Sequence, residues 1–331
     1  MKISQVVGPR LSRVVEAPDP TPQPGHVIVD VLACGICTSD LPPWREWGSE
    51  DKPVLLGHEI VGRVRWAGPT SAFTVGDVVT GLADGGFATQ ATMNEHWIVR
   101  VPEGIEPGLC LGEPFADLVG AIDAVGPTAL GASTTGAAKA GHERIAVVGA
   151  GFMGLGLIQL ARLRAPEVLI AVDPSPAARQ RALELGADLA FAPDDLPAEL
   201  LNGPTGEGTG TTPDARMDLV LEAAGHASAL ELGIQLARPF GTLSIVGYHH
   251  YTQALSLPMD AWHKALVVRA GFTPNQDRLM AYLVKAVDLI GQRRITQAPL
   301  ITHRFGLDGI DEAYRLMESR TDSFVKSIMV P

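Results

Sequence analysis

Cysteine, histidine and carboxylate side chains that could together bind a metal are concentrated in the first third of this 331-residue chain. Residues 33–40 read Ala-Cys-Gly-Ile-Cys-Thr-Ser-Asp and residues 57–62 read Gly-His-Glu-Ile-Val-Gly. Thiolate and imidazole are common protein ligands for zinc, and a carboxylate can complete a catalytic set whose last position stays open for water or substrate. Glu113, followed by Pro114, is a candidate for that carboxylate, and Glu59 is the alternative. Asp40 is placed to accept a hydrogen bond from a ligating histidine and so orient it. Each group also has a plainer reading. Cys34 and Cys37 could form a redox pair, although the Thr-Ser-Asp-Leu-Pro-Pro continuation is read as lacking the helix that would lower a thiol pKa. A lone His58 is more often a satisfied side chain than a ligand.

A second constellation could hold a phosphorylated cofactor. Residues 147–154, Val-Val-Gly-Ala-Gly-Phe-Met-Gly, place a G-x-G-x-x-G between an apolar segment and the start of a helical one. Gly149 would make the tight turn, Gly151 would admit a pyrophosphate, and Gly154 would let helix pack on strand. Amides at the helix start, those of Phe152 and Met153 among them, would then face the phosphates. The next apolar segment ends in Asp173, roughly twenty residues on, where an acid can accept hydrogen bonds from the adenosine ribose. Asp173 could also cap the helix that follows Pro174, Ser175 and Pro176. Arg179, one turn into that helix, could reach a 2'-phosphate. A methyltransferase with a similar Gly-rich turn is the rival reading.

These groups need elements to position them. Up to about residue 114, short apolar segments such as 27–32, 60–66 and 75–80 are separated by Gly and Pro clusters, which predicts a mostly β domain. From residue 144, apolar strands at 145–148, 168–172, 219–221 and 243–246 alternate with helical stretches, which predicts a parallel, doubly wound sheet. Residues 131–141 and 202–214 read as surface loops. The tail predicts a helix at 277–290, an extended piece at 300–305, a helix at 308–317 and a strand at 324–330. The fold class is therefore α/β.

Composition narrows the partners. A formal net charge of -11 disfavours nucleic acid and anionic membrane surfaces. No signal-peptide pattern opens the chain, and the uncharged apolar stretch 145–161 is short and glycine-broken for a membrane span. It reads as a buried strand, turn and helix. Cys34, Cys37 and Cys110 are too few for a disulfide framework, and a reducing cytoplasm is the expected location.

Taken in order, Cys-Gly-Ile-Cys-Thr-Ser-Asp at 34–40, Gly-His-Glu-Ile-Val-Gly at 57–62, Gly-Glu-Pro at 112–114 and Val-Gly-Ala-Gly-Phe-Met-Gly at 148–154 resemble the zinc-containing medium-chain dehydrogenase/reductase family of alcohol, polyol, sorbitol and threonine dehydrogenases. The ending, with Ile301, Thr302, His303, Arg304 and Phe305, is similar too. The resemblance implies a GroES-like catalytic domain over residues 1–114, a Rossmann domain over 115–271 and a return to the first domain over 272–331. It makes Cys37 and His58 zinc ligands, Glu113 the third ligand as in sorbitol-type members, and Glu59 a neighbour able to exchange onto the metal. Cys34 and Cys110 match no ligand position. Residues 83–97 lack the cysteines that bind a structural zinc in most relatives, so one catalytic Zn2+ per chain is expected.

The same resemblance implies hydride transfer between an alcohol or polyol/sugar-type substrate and NAD, with NADP less favoured because Asp173 repels a 2'-phosphate. Pro42 stands where relatives often carry a proton-relaying histidine, so Ser39, with Thr38 in reserve, is expected to accept the hydroxyl proton. His249, His250 or His263 is the alternative carrier. Trp44, Trp47, Tyr248 and Trp262 are candidate walls for an alcohol or carbonyl substrate. Relatives join Rossmann sheets edge to edge, which implies a homodimer or homotetramer. The competing functions are a zinc-free quinone or enoyl reductase on the same fold and a dinucleotide-binding protein without turnover.

Overall fold

The chain opens with a hairpin, β1 (Lys2–Gly8) and β2 (Leu11–Glu16), turned through Arg10 at a φ of 60°. Its structure is a computed structural model that describes residues 1–126, 143–202, 214–249, 254–319, 321 and 323–331. Both glycine-rich segments expected as loops, 131–141 and nearly all of 202–214, lie outside the described residues, as does His250. Contacts divide the chain into two units, Met1–Ala116 with Asn275–Pro331, and Asp117–Pro274.

In the first unit, the valines and isoleucines of 26–36 and 59–67 form two long strands, β3 (His26–Ile36) and, after the short β4 (Val54–Leu55), β5 (Glu59–Ala67). They pair antiparallel with Gly35 opposite Glu59 and Cys34 opposite Ile60. Strands β6 (Val78–Leu82), β7 (Gln90–Asn94) and β8 (Ile98–Arg100) extend the sheet. Val27, Val29, Ile60, Val64, Val79 and Met93 make its buried centre. Thr38–Asp40 forms a single 3-10 turn, and Leu41–Glu46 is a short helix, where the sequence read none. Pro42 and Pro43 sit in its first turn, where a missing amide hydrogen leaves no helical bond unmade. Trp44 in that helix is fully buried, 5.0 Å from the ring of Tyr314, and donates to Asp311 at 2.8 Å, so it is core and not a substrate wall. Trp47, Tyr248 and Trp262 are exposed.

The second unit is a six-stranded parallel sheet: β9 (Arg144–Val148), β10 (Val168–Val172), β11 (Leu189–Phe191), β12 (Met217–Glu222), β13 (Ala237–Ile245) and β14 (Val267–Ala270). Its order, β11-β10-β9-β12-β13-β14, is that of a doubly wound sheet whose direction of winding reverses between β9 and β12. Helices Phe152–Arg162, Pro176–Glu184 and Ala227–Leu236 connect the strands. Strand β13 starts six residues ahead of the expected 243–246, because its pairing with β12 skips from Ala237 to Thr242 around a left-handed Phe240. Among the described residues, no helix is long and apolar enough to cross a membrane.

The tail returns to the first unit. Helix Gln276–Gly291, β15 (Ile301–Phe305), helix Ile310–Ser319 and β16 (Lys326–Met329) follow the predicted order. Strand β16 pairs antiparallel with β3, setting Ser327 opposite Ile36 and Ile328 opposite Gly35.

Candidate functional site

The register of β3 against β5 creates the metal-type cluster. Cys37 lies just past the end of β3 and His58 just before β5, so pairing Gly35 with Glu59 brings 37 and 58 to the same end of the sheet. One donor atom from each of Cys37, His58 and Glu59 lies within 4.8 Å of the others. Asp40 is buried with a carboxylate oxygen 3.4 Å from His58 Nδ1, which leaves Nε2 for a ligand. Burial works against a charged His58, but hydrogen bonds to Asp40 and Cys37, with the charges of both, push its pKa up to about 12. A metal would displace that proton, since ligating imidazole must be neutral.

Glu59 is held from behind. Its Oε1 accepts from Lys326 Nζ at 2.6 Å, with side-chain exposures of 0% and 6%, whereas its Oε2 is buried without a partner. The carboxylate occupies space that a side chain at position 35 would fill, so Gly35 is required there. Burial opposes the Lys326 ammonium, but the charges of Glu59 and Cys37, the bond to Glu59 and the charge of Glu113 keep its pKa above the ordinary value. A buried, half-bonded carboxylate beside a thiol and an imidazole fits a divalent cation of borderline softness such as zinc.

The remaining sequence candidates sit as follows. Glu113 lies in the first turn of the helix Gly112–Ala124 and is not one of the three clustered groups. Thr38 and Ser39 are exposed, with Ser39 Oγ 3.5 Å from His58 Nε2. Cys34 and Cys110 are buried and outside the cluster, and burial pushes both thiols up, Cys110 to about 12.

In the second unit, the glycine turn joins β9 to the helix Phe152–Arg162. Gly149 has a φ of 94°, accessible to glycine at little cost. A side chain at Gly154 would collide with the Gly149 carbonyl, which is the close helix-on-strand contact the motif requires. Gly151 is the N-cap, with open space around it. Asp173 Oδ2 accepts from the Ala150 amide and Oδ1 from the Ser175 amide, both at 2.8 Å, so the carboxylate lies against the turn. The cap of helix Pro176–Glu184 is Ser175, not Asp173. Arg179 donates to the Asp173 and Pro174 carbonyls.

Two charged residues escaped the sequence reading. Lys326 is a lone cation in an apolar strand, and Glu222 a lone acid ending one, which is a signal of buried pairing. His249, singled out only as a proton carrier, meets Glu222 Oε2 at 3.1 Å. His263 packs edge-on against Trp262.

A β unit with a Cys-His-Glu cluster, and a doubly wound unit with a glycine turn backed by an acid, have the build of a dinucleotide-dependent dehydrogenase. Residues 23–103 match the alcohol dehydrogenase GroES-like domain, and residues 152–287 match zinc-binding dehydrogenase. An L-threonine 3-dehydrogenase from Pyrococcus horikoshii is 28% identical, over 93% of this chain and 92% of that one. An NADP-dependent isopropanol dehydrogenase from Thermoanaerobacter brockii is 25% identical over 96% of each. The solved alcohol dehydrogenase from Thermus sp. ATN1 shares the fold, with a TM-score of 0.77 at 24% identity over 100% of both chains. The chain belongs to the zinc-type medium-chain dehydrogenase family and is an oxidoreductase.

Replacing Lys326 with Met leaves the Glu59 charge buried without its cation, a change that costs about 3–5 kcal/mol. Denaturant unfolding of metal-free protein should show this loss, and added zinc should restore part of it. Unchanged stability would mean that the pair does not anchor the cluster.

Proposed function

We propose that the chain is a zinc-dependent dehydrogenase that moves a hydride between an alcohol, of the polyol or sugar type, and NAD. One observation carries this reading, the convergence of Cys37, His58 and Glu59, the last a buried carboxylate with one oxygen that has no partner. The threonine and isopropanol dehydrogenases among its relatives are named for hydroxyl-bearing substrates, which supports the substrate class.

Cys37, His58 and Glu59 would hold the metal, with Glu113 the carboxylate able to replace Glu59. When bound, zinc supplies Lewis acidity that eases loss of the hydroxyl proton, and NAD supplies the carbon that accepts the hydride. Asp40 holds the His58 ring through Nδ1. Ser39 Oγ takes the hydroxyl proton and passes it to water, since a serine cannot retain it near neutral pH. Thr38 is the reserve acceptor, and Pro42 has no group that could relay a proton. In the second unit, Gly149, Gly151 and Gly154 make room for the pyrophosphate, which the amides of Phe152 and Met153 hold. Asp173 accepts from the adenosine ribose and disfavours a 2'-phosphate, while Arg179 is engaged with backbone carbonyls.

A screen of alcohols, polyols and sugars, read as NADH absorbance, should find turnover with NAD above NADP. Metal analysis should find about one zinc per chain, and Cys37→Ser should remove both zinc and turnover. Active enzyme without metal would sink the zinc mechanism, and preference for NADP would assign Arg179 to the phosphate.

Ser39→Ala should lower turnover by about one to three orders of magnitude while zinc content stays intact. Near-normal turnover in that variant would remove Ser39 from the proton path.

Strand β14 ends its sheet with Val267 40% exposed, an edge with amides open to pairing. The proposed assembly is a homodimer joined there, alone or doubled in a tetramer. A monomeric mass by light scattering over a wide concentration range would rule this out.

A further inference from the structure

Glu222 is the last residue of β12, and its side chain is wholly buried. Its Oε1 accepts from the Ala224 amide at 2.8 Å and the Gly225 amide at 2.7 Å, and its Oε2 meets His249 Nε2 at 3.1 Å. The His249 side chain is 8% exposed. The Glu222 main-chain carbonyl accepts the amides of Val246 and Gly247, each at 2.8 Å. One residue therefore pins both the turn after β12 and the chain leaving β13.

Those two segments are packed into one surface with the glycine turn. A Cβ on Gly149 would lie 2.8 Å from the Ala224 amide nitrogen, and one on Gly225 would lie 2.7 Å from the Tyr248 carbonyl oxygen. The turns after β9, β12 and β13 thus form a continuous wall at the carboxyl ends of the strands. Asp173 ends β10, on the other side of β9 from β12. In a doubly wound sheet, a dinucleotide lies across the point of reversal with one mononucleotide half on each side. Asp173 marks the adenosine half, which leaves the wall of the β12 and β13 turns for the other half.

We infer that the Glu222–His249 pair is a positioning device for the nicotinamide half of the cofactor, an inference that rests on the proposal that the second unit binds NAD. A carboxamide-bearing ring is recognised by backbone N–H and C=O groups, and a turn presents these at fixed points only when its own backbone is pinned. Glu222 pins residues 224 and 225 through their amides, and residues 246–249 through its carbonyl and the His249 ring. For packing alone, an apolar side chain would do as well as a buried charge at this strand end. What the carboxylate adds is three directed hydrogen bonds from one point.

The test uses the full chain and two probes, NADH and ADP-ribose, which lacks the nicotinamide ring, titrated calorimetrically against wild type, His249→Leu and His249→Gln. His249→Leu removes the donor to Glu222 and should weaken NADH by about tenfold, as expected for a hydrogen bond to a charged group. Its affinity for ADP-ribose should stay within about twofold of wild type, a difference below that of a single hydrogen bond. His249→Gln supplies an amide donor at similar reach and should recover most of the NADH affinity. Equal weakening of both probes in the Leu variant, or no weakening of either, would overturn the inference, as would failure of the Gln variant to recover while its thermal unfolding matches wild type. Wild-type protein that binds neither probe would overturn the dinucleotide reading itself, and the inference with it.

Discussion

Keeping a carboxylate with no solvent exposure in a β-sheet core carries a desolvation cost, and the Glu59–Lys326 contact supplies the cation that offsets it. The two residues are 267 positions apart in the chain. Their meeting requires the tail to come back to the first unit and lay β16 along β3, while β5 lies along the other edge of β3. Cys37 and His58 then have no choice of neighbours, because they flank the strands whose pairing this arrangement sets. The Glu59 carboxylate is thereby brought beside the thiol and the imidazole, with one oxygen on Lys326 and the other without a partner. A candidate metal site assembled this way gets its geometry from sheet register, which a one-residue slip would destroy.

The second unit uses the same device with different chemistry around it. Glu222 is also a fully buried glutamate at a strand terminus, and its partners are two amides and an imidazole instead of an ammonium. Glu59 opens β5 beside candidate metal ligands and keeps one oxygen spare, whereas Glu222 closes β12 and uses both oxygens on the chain itself. The contrast follows from local supply. Parallel strands end in turns rich in unpaired amides, which a carboxylate can gather. An antiparallel strand beginning beside a thiol and a histidine offers no such amides, so the remaining lone pairs stay available.

Much of the fold was legible because hydrophobic periodicity reports burial directly. Strand β10 was read at its true limits, and the helix Gln276–Gly291 to within one residue at each end, since both carry strong, uninterrupted patterns. The helix Leu41–Glu46 was not, because two prolines read as breakers until their place in the first turn is known. The early start of β13 depends on a bulge around Phe240 that only pairing with β12 produces.

For the site, residue types and order were enough to single out Cys37, His58 and the glycine turn, since ligand chemistry and close backbone approach restrict what can stand there. Sequence left Glu59 and Glu113 as competing carboxylates, and the cluster contains Glu59. The chain by itself determined that a metal-type group and a dinucleotide-type turn exist in one α/β protein, for those are properties of short segments and their spacing. Tertiary structure alone decided that Lys326 stands behind Glu59, that Asp173 lies on the Ala150 amide, and that Glu222 meets His249. Each of those contacts joins residues on different strands or turns, and their energy depends on exclusion of water, which no local stretch of sequence can encode.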